Sequence, residues 1–283
     1  MANITNAQIQ ELRVKTNAGM MDCKRALQEC NGDMEQAADL LRKKGIAKAS
    51  KRSEREAREG IIKILLNTSK DEAYMVELNS ETDFVSRNEN FQNLAGELLK
   101  LLEKNKSKDM ETFAAVKYDS KKTVKDAVDE LGGVIGEKII LNRIYSTNVS
   151  ANDCLGAYVH SNNKIGVIVN LINGKGNEDL AKDISMHIAA SNPSGISVND
   201  IPAADIAKEK EVLRTQIINE GKPENMADKI VEGKIRKYYE EVCLLEQNFV
   251  KDPNVKVKDI LAEASKKAGK NVSVKSFIRF AIG

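Results

Sequence analysis

Tryptophan is absent, aromatic residues make up 4% of the 283 residues, and only two histidines, His160 and His187, occur. The aromatic shortage counts against a single-strand nucleic-acid platform, which needs flat side chains for bases to stack on. A basic excess is missing too. Lys and Arg number 44 against 42 Asp and Glu, a formal charge of +2, whereas dedicated DNA binders neutralise backbone phosphates with a pronounced cationic surplus. No stretch approaches the ~18 consecutive apolar residues of a membrane span; apolar runs such as Ile165-Gly-Val-Ile-Val169 are far shorter. The first residues lack the apolar core of a secretory signal and read as a mature amphipathic start. The four cysteines include no CxxC pair. Cys23 and Cys30 lie two turns apart on one helix, ~10 Å, too far for a disulfide within it. Two histidines and scattered thiols argue against a zinc site. The thiols are read as reduced and structural, and the chain as cytoplasmic.

Catalytic patterns are equally scarce. Gly132-Gly-Val-Ile-Gly136-Glu-Lys138 lacks the spacing, and the hydroxyl after lysine, of a phosphate loop. Gly174-Lys-Gly176-Asn-Glu-Asp179 follows a strand and opens a helix as dinucleotide loops do, but Asp179 stands in the third glycine position and would repel a pyrophosphate; a flexible turn is expected there. His160 sits at a hairpin tip or strand end and His187 on a helix, neither spaced to serve a nucleophile. No enzyme activity, cofactor or metal is expected.

What is present is a patterned α+β chain. Caps and apolar spacing predict three short N-terminal helices: Thr5 or Asn6 to Thr16, Met20 to Cys30, and one capped by Asp33 carrying Met34, Ala37, Ala38 and Leu41. The breaks are Asn17-Ala-Gly19 and Asn31-Gly-Asp33. The basic stretch Lys48–Arg58 suits an exposed helical linker, its field diluted by Glu54 and Glu56. From Gly60 the period becomes that of strands: Ile61–Leu66 and Ala73–Leu78 form a hairpin, followed by a helix from about Asn88 to Glu103 with Phe91, Leu94, Ala95, Leu98, Leu99 and Leu102 in one stripe. Helix Thr123–Ile135 and strand Lys138–Tyr145 come next. Gly156–His160, Ile165–Ile172 and a helix around Glu178–Ala190 repeat the hairpin-plus-helix order about ninety-six residues on, which predicts an internal duplication with Gly60 and Gly156 as counterparts. Ala204–Asn219 and a helix from the Gly221-Lys-Pro223 turn to about Val242 predict an antiparallel arm, with Ile206, Leu213 and Ile217 facing Met226, Ile230 and Tyr238. A helix near Val257–Ala268 and a strand Val272–Ile282 close the chain. The boundaries are 1–55 for the helical bundle and linker, 56–147 for the first core half, 148–202 with 243–283 for the second, and 203–242 for the helical hairpin.

Two sets of residues leave a choice open. Ser80–Asn88 is a polar loop except for Phe84 and Val85. Phe84 either plugs the core beneath its own loop, which pattern alone favours, or enters a partner's pocket while Asp83 hydrogen-bonds at the rim. Met20 and Met21, at a helix start, are either core or adaptable contacts on a protein-binding face.

Leu12-Arg13, Thr16, Gly19-Met-Met-Asp-Cys-Lys-Arg-Ala-Leu27, Asn31-Gly-Asp33 and Leu41-Arg-Lys-Lys-Gly45 resemble the amino-terminal domain of the elongation factor Ts family. Glu77-Leu-Asn-Ser-Glu-Thr-Asp-Phe-Val85 is similar to that family's signature loop. Tyr158-Val-His160, Ile165-Gly-Val167, Met186-His-Ile-Ala-Ala190, Gly221-Lys-Pro223, Val231-Glu-Gly233 and Phe277-Ile-Arg-Phe280 extend the likeness in order along the whole chain. The resemblance implies a small ubiquitin-associated-type three-helix bundle, a core of two similar antiparallel-sheet-plus-helix halves, and an inserted antiparallel helical hairpin that is the family's dimerisation or coiled-coil module. It implies a guanine-nucleotide exchange factor for the GTPase elongation factor Tu. Leu12, Met20 and Met21 would face the GTPase domain, Thr82, Asp83, Phe84 and Val85 would enter near the nucleotide and displace magnesium, and His160 would contact another domain. Direct nucleic-acid or membrane contact is not implied. Ser80 stands where relatives often have cysteine, and many relatives continue past the segment ending at Gly283 into a helix that touches the GTPase, which leaves more of the task to bundle and loop. The rival reading is a ribosome- or RNA-associated protein using the basic segment 42–58.

Overall fold

A computed structural model describes residues 4–16, 18–51, 55–221 and 224–283, with the backbone alone for 45–51, 224 and 225. Asn17 of the first predicted break, Arg52, Ser53 and Glu54 of the basic stretch, and Lys222 and Pro223 of the arm's turn lie outside the described residues. The N-terminal helices are α1 (Asn6–Thr16), α2 (Met20–Glu29) and α3 (Met34–Lys51). Asn31 and Gly32 take left-handed backbone between α2 and α3, and the Asp33 carboxylate then accepts the Glu35 and Gln36 N–H groups (both 2.9 Å), satisfying donors that a helix start leaves orphaned. Ile9, Leu12, Cys23, Ala26, Leu27 and Ala37 form the bundle's core.

Next come β1 (Glu59–Leu66), β2 (Glu72–Ser80), a single turn α4 (Asp83–Ser86), α5 (Glu89–Asn105), α6 (Met110–Ala115), α7 (Val124–Ile135) and β3 (Ile139–Asn148). The three strands make one sheet in the order β1-β2-β3. All six residues of the α5 stripe are buried, and they pack with Ile61, Tyr74, Leu78 and Phe113; each large apolar side chain removed from water there stabilises the fold by about 1.5–3 kcal/mol. Thr123 caps α7 with a reciprocal box: its hydroxyl accepts the Asp126 N–H while the Asp126 carboxylate accepts the Thr123 N–H (2.9 Å). Helix α3 packs against α7.

The remainder is β4 (Cys154–Val159), β5 (Ile165–Ile172), α8 (Glu178–Ser191), α9 (Ala203–Asn219), α10 (Glu224–Val242), β6 (Asn248–Phe249), β7 (Asp252–Lys256), α11 (Val257–Ala268) and β8 (Ser273–Ala281). Strands β4 and β5 pair antiparallel with Gly156 opposite Val169, in a sheet ordered β4-β5-β8. Helices α9 and α10 fold back on each other through Leu213, Ile217, Ala227, Ile230 and Val231. Met226, expected at this seam, is instead exposed: the small Ala227 takes the inward position and lets the helices approach. Ile206 and Tyr238 are half-buried.

The chain divides into two compact units. The first comprises Met1–Leu65, Tyr74–Ser146 and Ala281–Gly283, the second Leu66–Ala73 and Thr147–Phe280. Each holds a three-stranded sheet with a helix on it, but the two glycines expected as counterparts do different work. Gly60 has φ +149° and a Cβ there would collide with the Leu78 carbonyl of the neighbouring strand, whereas a Cβ at Gly156 would collide with the Ala181 backbone of α8.

Candidate functional site

Strand β2 ends at Ser80, and the chain must turn before α5 begins at Glu89. The segment expected as an open loop is a fastened helical turn. Ser80 Oγ donates to the Thr82 carbonyl (2.9 Å). Thr82, extended at φ −125° and ψ 157°, precedes α4 without using its side chain as a cap, because that side chain is committed elsewhere. Its N–H (3.0 Å) and its hydroxyl (2.8 Å) both donate to the carboxylate of Glu137, 55 residues further on. The adjacent pair reverses the roles: the Lys138 N–H donates to the Glu81 carboxylate (2.6 Å). Arg55 also reaches that carboxylate (3.2 Å), and Lys138 Nζ donates to the Arg55 carbonyl (2.6 Å). At the far end Ser86 Oγ donates to the Asp83 carbonyl (2.8 Å) and Gln92 Nε2 to the Ser86 carbonyl (2.6 Å). Lys63 Nζ in turn donates to the Gln92 carbonyl (2.8 Å), and burial lowers the pKa of that ammonium.

The two apolar side chains of the turn point opposite ways. Val85 is 7% exposed and joins the core of its unit, while Phe84 is 83% exposed. Single exposed hydrophobics are ordinary on protein surfaces; what sets Phe84 apart is that its backbone is pinned on both sides. A rigid aromatic costs less ordering on binding than a mobile one. Asp83 pairs with Arg87 (2.9 Å), so its carboxylate is already engaged beside Phe84.

The other predicted contacts divide in the same way. Met20 and Met21, in the first turn of α2, are 49% and 64% exposed. Leu12 has no exposed surface and packs in the bundle core, so it faces its own module. The resemblance puts Leu12 on the partner side with Met20 and Met21, but the folded bundle turns it inward. His160 is exposed just past β4, its Nδ1 3.1 Å from the Tyr158 hydroxyl. His187, by contrast, is buried, with Nε2 2.9 Å from Gln247 Oε1 and Nδ1 accepting from the Val250 N–H (3.2 Å). That acceptor role leaves the ring proton on Nε2, and burial lowers its pKa, opposed in part by the Gln247 bond.

In the basic segment 42–58, four described cations have partners within the chain. Arg42 donates to the Lys121 carbonyl (3.5 Å), Lys44 pairs with Glu29 (2.7 Å), Arg55 with Glu81, and Arg58 with Glu56 (2.8 Å). Such partners reduce the positive field available to phosphates. Among the described residues, no group of three or more His, Cys, Asp or Glu could hold a metal ion, and no helix is long and apolar enough to cross a membrane. At the Gly174–Gly176 turn, the Glu178 carboxylate accepts the Gly176 N–H (2.9 Å), occupying a donor a phosphate would need.

Sequence reasoning passed over Glu81, Glu137 and Lys138 as parts of this site. Glu137 follows Gly136, the left-handed cap of α7, and no local pattern announces that its carboxylate reaches Thr82. Residues 81–283 match the family model described as Elongation factor TS, which is more than half of the chain.

Proposed function

The chain belongs to the elongation factor Ts family, and we propose that it accelerates GDP release from elongation factor Tu by driving the Thr82–Val85 turn in beside the nucleotide. Family membership implies a translation elongation factor with a nucleotide-exchange role and elongation factor Tu as partner, not an enzyme that transforms a substrate. The finer reading rests on one observation, the 83% exposure of Phe84 on a turn whose neighbour Val85 is buried.

An exchange factor must bind the nucleotide-free GTPase better than the GDP-bound one, and the coupling is reciprocal: whatever weakens GDP weakens the factor's own hold on the loaded GTPase. Each tenfold loss of nucleotide affinity requires about 1.4 kcal/mol of differential binding, and a desolvated aromatic anchor supplies about 2 kcal/mol or more. Phe84 is that anchor, and Val85 seats it. Thr82 and Asp83 flank it. Displacing the ligands of the GTPase's magnesium removes the strongest local positive charge on the diphosphate. Met20 and Met21 form the outward contact of a ubiquitin-associated-type bundle, with Leu12 seating α1 behind them, and His160 makes a separate contact from the second unit. The α9–α10 arm, on which Val212, Ile218 and Met226 are exposed, pairs two copies of the chain; sedimentation of the chain with and without residues 203–242 tests that part alone.

The decisive measurement is release of fluorescent GDP from elongation factor Tu. The chain should accelerate it, and Phe84→Ala should lose about thirtyfold or more, the equivalent of about 2 kcal/mol, while melting at the same temperature. Wild-type exchange by that variant would refute the wedge.

A further inference from the structure

We infer that Glu137 is a positioning residue for nucleotide exchange: its carboxylate clamps Thr82 and thereby presents Phe84 in a fixed pose before the partner arrives. The inference rests on the reading of Phe84 as the anchor and concerns how that anchor is held.

One turn of helix is not stable by itself, because the first hydrogen-bonded turn fixes several residues for a single bond. The turn α4 therefore needs outside support at its start, where Thr82 offers no side-chain cap. Glu137 supplies it twice, accepting both the backbone N–H and the hydroxyl of Thr82. Hydrogen bonds to an ionised carboxylate are among the stronger ones a protein makes. The clamp is itself built on rigid elements. Gly136 ends α7 with φ +93°, β3 begins two residues after Glu137, and α7 packs so closely on the Glu137 carbonyl that a Cβ at Gly132 would lie 3.0 Å from it. The reversed bond from Lys138 N–H to Glu81 fixes the register of the two segments, so a shift of either chain breaks both contacts together. Arg55 joins the same cluster through Glu81 and Lys138, which ties the chain leaving the bundle to the base of the turn. Glu137 itself need not touch the partner. It acts through Thr82, by removing the ordering that Phe84 would otherwise undergo on binding.

The experiment compares Glu137→Ala and Glu137→Gln, each alone and combined with Phe84→Ala, in fluorescent-GDP release from elongation factor Tu across a range of factor concentrations. Glu137→Ala should lower the maximal rate about tenfold while changing the half-saturating concentration less than about twofold, since the methionine and His160 contacts persist. Glu137→Gln, which keeps one acceptor oxygen, should recover most of that loss. In the Phe84→Ala background, Glu137→Ala should cost nothing further. Because the chain has no tryptophan, Phe84→Trp adds a single reporter, and its fluorescence anisotropy should fall when Glu137→Ala is introduced. Equal losses with and without Phe84, or an unchanged anisotropy, would overturn the positioning role. If Phe84→Ala itself left exchange intact, the anchor reading would fail first; if Phe84→Ala abolished exchange and Glu137→Ala changed nothing, the clamp alone would fail.

Discussion

The two units use one plan and finish it differently. In each, a hairpin is followed by a helix laid on a three-stranded sheet. The first crosses from strand to helix by way of Glu81–Asn88, which raises Phe84 on a clamped turn. The second crosses at Asn173–Asn177, where nearby groups of the same unit satisfy the backbone: the Asn173 N–H goes to the Asp153 carboxylate (2.9 Å), the Gly176 N–H to the Glu178 carboxylate (2.9 Å) and the Asn177 N–H to the Gly174 carbonyl (2.7 Å). No apolar side chain lies between Asn173 and Asn177. A Cβ at Gly174 would press on Leu171 Cβ (2.6 Å) and Cys154 Sγ (2.7 Å), so this glycine is there for packing. The scaffold is shared; the exposed anchor belongs to one crossing only.

The scaffold half of the comparison carries the largest effects. Leu98→Ala on α5 and Ile188→Ala on α8 each empty a buried site and should each cost about 2–5 kcal/mol, read as a lowered melting temperature. If one unit tolerated its truncation, the equivalence of the two scaffolds would break. The crossing half is sharper still in kind. Val85→Ala should cost about 2 kcal/mol of stability from lost buried methyls and disturb exchange as well. Phe84→Ala should leave stability within about 0.5 kcal/mol and lose most exchange. Of these neighbours on one turn only Val85 should affect stability, and similar melting curves for the two variants would contradict the opposed directions of these side chains. Gly176→Ala comes next. Gly176 has φ +89° and open space around it, so strain alone is at issue, about 1 kcal/mol, and exchange should not change; a loss of exchange would give the second crossing a role it is not assigned.

How far these features were legible in the sequence follows from how local they are. The α5 stripe at Phe91, Leu94, Ala95, Leu98, Leu99 and Leu102 repeats at helical spacing and is buried throughout, since periodicity within one helix needs no knowledge of what it packs on. The Asp33 start of α3 and Thr123 start of α7 are legible for the same reason, each cap spanning three residues. What escaped depends on distant partners. The turn at Asp83–Ser86 is held from Glu137, and no spacing within Ser80–Asn88 encodes that. Leu12 has the right face, but only the folded bundle decides that the face turns inward. Met226 outranks Ala227 in hydrophobicity, yet close approach of α9 and α10 favours the smaller residue. Gly60 and Gly156 match in order along the chain and differ in what crowds them, a neighbouring strand in one case and a helix in the other.

The smallest predicted effect lies in the second unit and concerns His187. Its ring is buried against Phe249, with Nε2 bonded to Gln247 and Nδ1 accepting from Val250. Protonation would place a second N–H on Nδ1, facing the Val250 donor, in a site that burial already makes unfavourable for charge. The folded pKa therefore sits below the ordinary 6.5. Above 6.5 the ring is neutral in both folded and unfolded chains and contributes no pH dependence. As pH falls through 6.5 the unfolded chain takes up a proton that the folded one resists, so stability drops until the folded pKa is reached. Melting temperatures between pH 8 and pH 5 should show this acid-side fall in the wild type. His187→Gln should be less stable at pH 8, having lost a buried, bonded ring, but flatter toward acid. Gln247 makes the network specific to this unit, since its Nε2 also donates to the Glu241 carbonyl (2.6 Å) at the end of α10. Parallel acid slopes in the two proteins would mean that the pH dependence arises elsewhere and that His187 packs without titrating.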